Sequence, residues 1–373
     1  MAFAYTPGLR VADCTLVRKE RRLPLAGETL VSTGDSVTAE TIVAKTHLPG
    51  NVKMLNIANV MGLPPGDIPE LLFVKEGESI EENQALGQTK GFFGLFKNTV
   101  RSPLEGTFES YNKITGQAVL REPPIPVAID AYLLGSVTEV LANEGVVVEA
   151  YATFVQGIFG VGGETRGELK VLTDGPADEL TEDLIDESCR GKVLLGGSFV
   201  SYTTLNKAIR TGVKAIIVGG FDDKDLKEFL GYELGVAITG HEKKGITLVL
   251  TEGFGRMTMA SETFKLLKSR EGLLASVNGA TQIRAGVMRP EVVIPLEGTE
   301  MEKSSGKSAG AMDIGSPVRC IRAPYFGKLG TVEALPAELQ VLDSEAKVRV
   351  LDVKFDNGEI VTVPRANVEL IEE

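Results

Sequence analysis

Four short stretches carry the residue types that could bind or transform a small molecule. They are Gly196-Gly197-Ser198, Gly219-Gly220-Phe221-Asp222-Asp223, Thr239-Gly240-His241-Glu242 and Thr251-Glu252-Gly253-Phe254-Gly255. Glycine admits close approach by a second backbone or a ligand. His241 is one of two histidines in the chain. With Glu242, Glu252 and Asp222 it could form an acid–base set, or the carboxylates could hold a hard cation through oxygen. The candidate ligand-binding residues are Gly197, Ser198, Gly220, Asp222, His241, Glu242, Glu252 and Gly253. No catalytic residue is assigned and a metal site is left open. In the competing reading, the glycines make short turns and the charges are solvated.

Two other stretches invite chemistry and fall short of it. Gly157-Ile158-Phe159-Gly160-Val161-Gly162-Gly163-Glu164 has phosphate-loop spacing. It lacks a terminal Gly-Lys-Ser/Thr, and the strand-like Leu169-Lys170-Val171-Leu172 follows where a helix is required. A tight structural turn is the better reading. Arg284 and Arg289 could clamp an anion, although pairing with nearby carboxylates is the more usual arrangement.

The four glycine-bearing stretches follow apolar runs that alternate with helical ones. Strands are expected at Lys192–Leu195, Ala215–Val218, Val236–Ile238 and Thr247–Leu250. Helices are expected at Leu180–Cys189, Tyr202–Arg210, Asp223–Leu230 and Met259–Ser269, with Gly212 and Gly231 as stops. Strand–helix alternation implies an α/β domain over 176–296 with three layers and a mostly parallel sheet. In such a sheet, ligands sit beyond the carboxyl ends of the strands, which is where the glycine-bearing stretches fall. No family resemblance attaches to this domain.

Flanking it, the sequence is β-patterned. Gly34-Asp35-Ser36-Val37 matches Gly77-Glu78-Ser79-Ile80, and Pro49-Gly50-Asn51-Val52 parallels Pro103–Phe108, so one unit built twice is expected. The glycine turns, Gln84-Ala85-Leu86-Gly87 and Ser102-Pro103-Leu104-Glu105-Gly106-Thr107-Phe108 resemble the barrel-sandwich hybrid of biotinyl/lipoyl-carrier domains. The resemblance implies that fold over 28–127, in a non-carrier form. The segment Thr89–Lys97 lacks the modified-lysine setting. Lys53-Met54 half-matches the biotin pattern but falls inside a strand. Phe92, Phe93 and Phe96 form either core or a docking patch. Residues 123–127 are a stiff connector, and 128–175 a β extension with a hairpin of Gly135–Val140 and Gly145–Glu149.

At the other end, 297–312 is a Gly/Ser/Lys-rich linker and 313–373 a compact β unit. Pro317-Val318-Arg319, Gly327 and Gly330-Thr331-Val332 resemble a KOW motif on an SH3-like barrel. Members of that family bind RNA, polymerase or protein partners. Acid exceeds base in this tail, which favours a protein partner over RNA or a ribosome. The candidate partner-binding residues are Arg319, Arg322, Tyr325, Phe326 and Lys328.

Bulk properties bound the rest. The chain has 373 residues and net charge −12, enough for two to four domains and unfavourable for non-specific phosphate binding. Residues 1–27 read as an irregular arm. The basic run Arg18-Lys19-Glu20-Arg21-Arg22 within it reads as a solvated face, with nucleic-acid contact as the alternative. Cys14, Cys189 and Cys320 form no Cys-x-x-Cys pair, which argues against a zinc, iron–sulfur or disulfide framework. With no signal-type apolar run at the start and no membrane-length run, a cytoplasmic protein without membrane association or cofactor is expected. No catalytic motif is complete. A non-catalytic adaptor is therefore expected, with transcription or translation the suggested setting. A small-ligand or enzymatic α/β domain is the alternative.

Overall fold

Runs of aliphatic residues with no polar face build the centre of the molecule. Ala215–Phe221 (AIIVGGF) is buried at every position and Thr247–Phe254 (TLVLTEGF) at all but its last, as expected of strands covered on two sides. They run parallel to each other, and Ala215–Phe221 runs parallel to Val193–Leu195. The helices Tyr202–Thr211 and Asp223–Leu230 pack one face through Leu205, Ala208, Leu226 and Phe229. Ser261–Ser269 packs the other through Phe264 and Leu267. Gly212 and Gly231 end the first two helices in left-handed conformation, as their positions predicted. The computed structural model describes residues 9–90, 97–231, 244–281, 288–296, 312–320, 324–325, 328–336, 339–341, 347–355 and 358–370. The expected strand at Val236–Ile238 lies outside them.

The molecule is a strand-rich α/β protein with a large mixed sheet. One strand, Glu164–Val171, joins its two characters. Its second half pairs parallel with Val193–Leu195, and its first half pairs antiparallel with Leu274–Asn278. From there the sheet continues antiparallel through Glu291–Pro295 to Gly145–Gln156, and on to Gly135–Leu141 and Val11–Arg22. The expected parallel pairing runs from Leu169–Val171 through Glu179–Leu180 and the strands up to Phe254, and not beyond. Among the described residues the sheet has 13 strands. Segments from 1–27, 128–175 and 176–296 all contribute to it.

Two local expectations are corrected here. The irregular arm contains the strand Val11–Arg22, paired along its length with Gly145–Gln156. Its charged residues obscured a period-two pattern. The expected helix at Leu180–Cys189 is a short strand and two 3-10 turns, Glu182–Leu184 and Glu187–Cys189. The Asp186 side chain accepts from Ser188 N at 2.9 Å, which caps a new turn in mid-run and competes with helix propagation.

The repeat is real at the level of turns. Asp35 accepts from Ser32 N and Glu78 from Lys75 N, each at 2.8 Å. Gly34 and Gly77 both take positive φ, and Thr41 and Gln84 accept from Thr38 N and Glu81 N. Each pair is 43 positions apart. The two copies then part. Ser36–Val37 pairs with Gly135–Ser136 in the large sheet, whereas Glu78–Ile80 pairs with Gly106–Phe108 in a separate four-stranded sheet. That small sheet, ordered Val52–Asn56, Gln117–Arg121, Gly106–Tyr111, Glu78–Ile80, has its own core around Ile57, Leu86, Phe108 and Leu120. It is inserted between Ile42–Leu48 and Ile125–Asp130, which pair antiparallel and close its base. Phe92, Phe93 and Phe96 lie outside the described residues.

Among the described residues the tail forms a six-stranded antiparallel sheet around Val318, Val332, Leu351, Val353 and Phe355. Lys347–Phe355 and Ile360–Pro364 form its hairpin.

Candidate functional site

The carboxyl ends of the central strands are filled by the chain itself. A Cβ on Gly219 would stand 1.9 Å from Met257 O, and one on Gly197 2.3 Å from Asp178 O. These glycines bring backbone against backbone: segments 175–178 and 255–259 lie across the strand ends. Ser198 donates from Oγ to Ala177 O at 2.8 Å, and its N–H donates to Asp178 O. Asp222 caps the following helix by accepting from Lys224 N at 2.8 Å. Gly220 pairs with Gly253 across the sheet. His241 and Glu242 lie outside the described residues, so the acid–base set is described only at Asp222 and Glu252. Those two are each engaged elsewhere.

Glu252 has the most consequential partner. Its carboxylate meets Arg319 of the tail, with Nη1 3.1 Å from Oε2. The same nitrogen donates to Thr251 O at 2.8 Å and Glu252 O at 3.3 Å. The other carboxylate oxygen, Oε1, accepts from Ala260 N at 3.0 Å. Ala260 opens the Ser261–Ser269 helix without a side-chain cap of its own, so Glu252 also places negative charge at the positive end of that helix. Both side chains are almost wholly buried, 2% and 6% exposed. A residue read as a ligand contact and one read as a partner contact thus hold each other, joining tail to central sheet. Arg319 is not on a free surface. Beside the pair, Leu9, Gln156, Thr263 and Leu329 line a void of about 30 Å³.

Tyr325 and Lys328 do converge at the tail surface. The Tyr325 and Phe355 rings lie 5.5 Å apart. Lys328 Nζ stands 5.3 Å from one ring centroid and 4.9 Å from the other, and 3.9 Å from Glu359. This is a cation–π stack with a carboxylate at its side. Arg322 and Phe326 lie outside the described residues.

The basic run near the start faces carboxylates. Lys19 pairs with Glu291 at 2.6 Å, Arg18 with Glu139 at 2.8 Å, and Arg21 with Glu164 at 2.7 Å and Asp130 at 3.2 Å. Arg22 pairs with Glu20 and Glu144, and Arg166 pairs with Asp130. Arg21 also lies over the Tyr132 ring at 5.3 Å. Tyr132 is buried with φ +65°, and its hydroxyl lies close enough to Glu291 and Glu164 to feel their charge without forming a hydrogen bond of good geometry. Burial first, then those carboxylates, push its phenol well above the ordinary range. The sequence carried one signal of this network: Glu291, which opens the apolar run Val292-Val293-Ile294.

The glycine-rich stretch near 160, expected to be a tight turn, is a short strand, Phe159–Val161, followed by a bend at Gly162. Phe159–Val161 pairs with Thr247–Phe254, and Gly160 N donates to Thr281 Oγ1 at 2.8 Å. Arg284 lies outside the described residues, and Arg289 is engaged by a partner. Among the described residues, no group of three or more His, Cys, Asp or Glu side chains could hold a metal ion. No helix among them is long and apolar enough to cross a membrane. Compared with known proteins, the chain matches no family model and no curated protein.

Proposed function

We propose that this chain is a non-catalytic scaffold that presents β modules to protein partners. In this reading the inserted small sheet with its glycine turns is a barrel-sandwich hybrid of non-carrier type, and the tail is a KOW-like barrel. The KOW resemblance links the tail to the transcription or translation machinery. The observation that carries the reading is the buried Arg319–Glu252 pair. It commits the most reactive-looking carboxylate among the described strand ends to holding the tail in place. It leaves Lys328 exposed on the tail, stacked on the half-buried Tyr325 ring and the buried Phe355. Excess acid in the tail favours a protein partner over nucleic acid.

The test is affinity purification of the full chain from its native host, beside Tyr325→Ala and Lys328→Glu variants. A protein recovered with the parent and lost with both variants supports the scaffold. Recovery of RNA in place of protein overturns the choice of partner. A thermal shift with a nucleotide or divalent cation that disappears in Ser198→Ala overturns the non-catalytic reading.

A further inference from the structure

Sheet edges expose unpaired backbone groups, and proteins ordinarily blunt them with proline, charge or brevity. Several edges here are blunted in that way. Ile125–Asp130 carries Pro126. Glu78–Ile80 is three residues long and lies among Glu76, Glu81 and Glu82. Val11–Arg22 ends in five consecutive charged residues. The opposite edge of the small sheet, Val52–Asn56, has a single lysine as its guard. Its sequence is VKMLN, its side chains at 52, 53 and 54 are exposed, and among the described residues its single neighbour is Gln117–Arg121.

Register fixes which of its backbone groups are free. Glu122 N donates to Asn51 O at 2.9 Å, in line with the pairing of Arg121 with Val52. Asn51 and Glu122 are therefore a hydrogen-bonded pair, and so, two and four positions on, are Lys53–Leu120 and Leu55–Ala118. Val52 and Met54 then turn their N–H and C=O groups to the open edge. The same two residues carry large exposed side chains, 47% and 67%. They share the outer face with Val119, which lies opposite Met54. Lys53 lies on the other face, opposite the buried Leu120. Its ammonium makes no ion pair or hydrogen bond among the described residues.

We infer that the Val52–Asn56 edge takes an extended acidic peptide segment as a fifth, antiparallel strand. Residues opposite Val52 and Met54 are apolar, and the residue opposite Lys53 is a carboxylate. In that register Lys53 occupies a non-hydrogen-bonded pair, where side chains approach closest. The lysine that keeps indiscriminate strands off the edge is then the group that selects an acidic one. This names a partner chemistry for the scaffold and rests on that reading. The edge belongs to a module with its own core, distant in sequence from the tail.

The probe is an end-blocked, dye-labelled peptide, Thr-Val-Glu-Val-Glu-Val-Thr, titrated against the full chain by fluorescence anisotropy. Its comparators are a version with lysine for glutamate and a version N-methylated at the edge-facing residues. The glutamate peptide is expected to saturate. N-methylation, which removes two or more ladder bonds and keeps every side chain, is expected to weaken binding roughly tenfold or more. Lys53→Glu is expected to reverse the preference between the glutamate and lysine peptides. Equal binding of the N-methylated peptide, an unchanged preference in Lys53→Glu, or no saturation by any peptide overturns the inference. A concentration-dependent dimer lost in Met54→Pro also overturns it, by placing a second copy on this edge. If the peptide fails while tail-dependent capture persists, the edge assignment falls and the scaffold stands. If the peptide binds and tail capture fails, the reverse holds.

Discussion

Removing Arg319 should do more damage than removing any exposed arginine of the chain. Its Nη1 bonds Thr251 O at 2.8 Å, Glu252 O at 3.3 Å and Glu252 Oε2 at 3.1 Å, with 2% of the side chain exposed. In Arg319→Met the Glu252 carboxylate stays buried and keeps the hydrogen bond from Ala260 N. Breaking a buried pair from one side costs about 3–5 kcal/mol, because the remaining charge is left uncompensated. At roughly 2–4 °C per kcal/mol for a folding unit of 150–250 residues, the midpoint should fall on the order of 10 °C. Glu252→Leu should be comparably harmful. The double variant Arg319→Met/Glu252→Leu should recover much of the loss, since apolar replacement of a whole buried pair is often neutral. Urea denaturation of the four proteins gives the coupling energy directly. Limited proteolysis should show the tail released early in both single variants and late in the double. If the single effects simply add, or if Arg319→Met costs under about 0.5 kcal/mol, the pair does not hold the tail to the sheet and the reasoning fails.

Gly219→Ala should destabilise by about 3 kcal/mol or more, because its new Cβ would meet Met257 O; Gly163→Ala, whose Cβ meets nothing within 4 Å, should stay within about 0.5 kcal/mol by the same denaturation assay. Tyr132→Phe should be neutral or stabilising by about 1 kcal/mol, since it removes a buried hydroxyl that lacks a good partner. The Tyr132 phenol is raised by burial. Its contribution is therefore present below the unfolded-state tyrosine pKa and lost as pH rises toward the folded one, so the alkaline fall in stability should be shallower in Tyr132→Phe. Glu109 is held below the ordinary carboxylate range by its hydrogen bond from Arg121. Its contribution is present above the unfolded-state pKa and is lost as pH falls through the folded one. In Arg121→Gln the Glu109 carboxyl resonance should titrate at higher pH by NMR, and no movement would mean that the pair is absent in solution.

Local rules carried as far as local physics reached. Gly212 and Gly231 ended their helices because a left-handed residue is cheapest as glycine. The 43-residue spacing of the turns at Gly34 and Gly77 followed from short-range side-chain acceptors that any sheet could use. The Leu180–Cys189 helix failed for an equally local reason, since Asp186 offered the backbone a closer acceptor than the next helical turn. The arm at 1–27 was illegible because its strand is charged where it faces carboxylates from 128–171 and Glu291, and a period-two pattern of charges looks like a solvated run until its partners are known.

Composition and spacing determined the aliphatic strands, the helix stops and the paired turns, each set within a few bonds of the residue concerned. The sequence alone also marked Glu252 and Arg319 as notable, one for a ligand and one for a partner. Only the tertiary fold decided that they are partners of each other, that backbone segments fill the strand ends, and that Val52–Asn56 has one neighbouring strand among the described residues. Such pairings depend on which surfaces meet after long loops close. A residue's type fixes what it can bond to, and the fold fixes what is within reach.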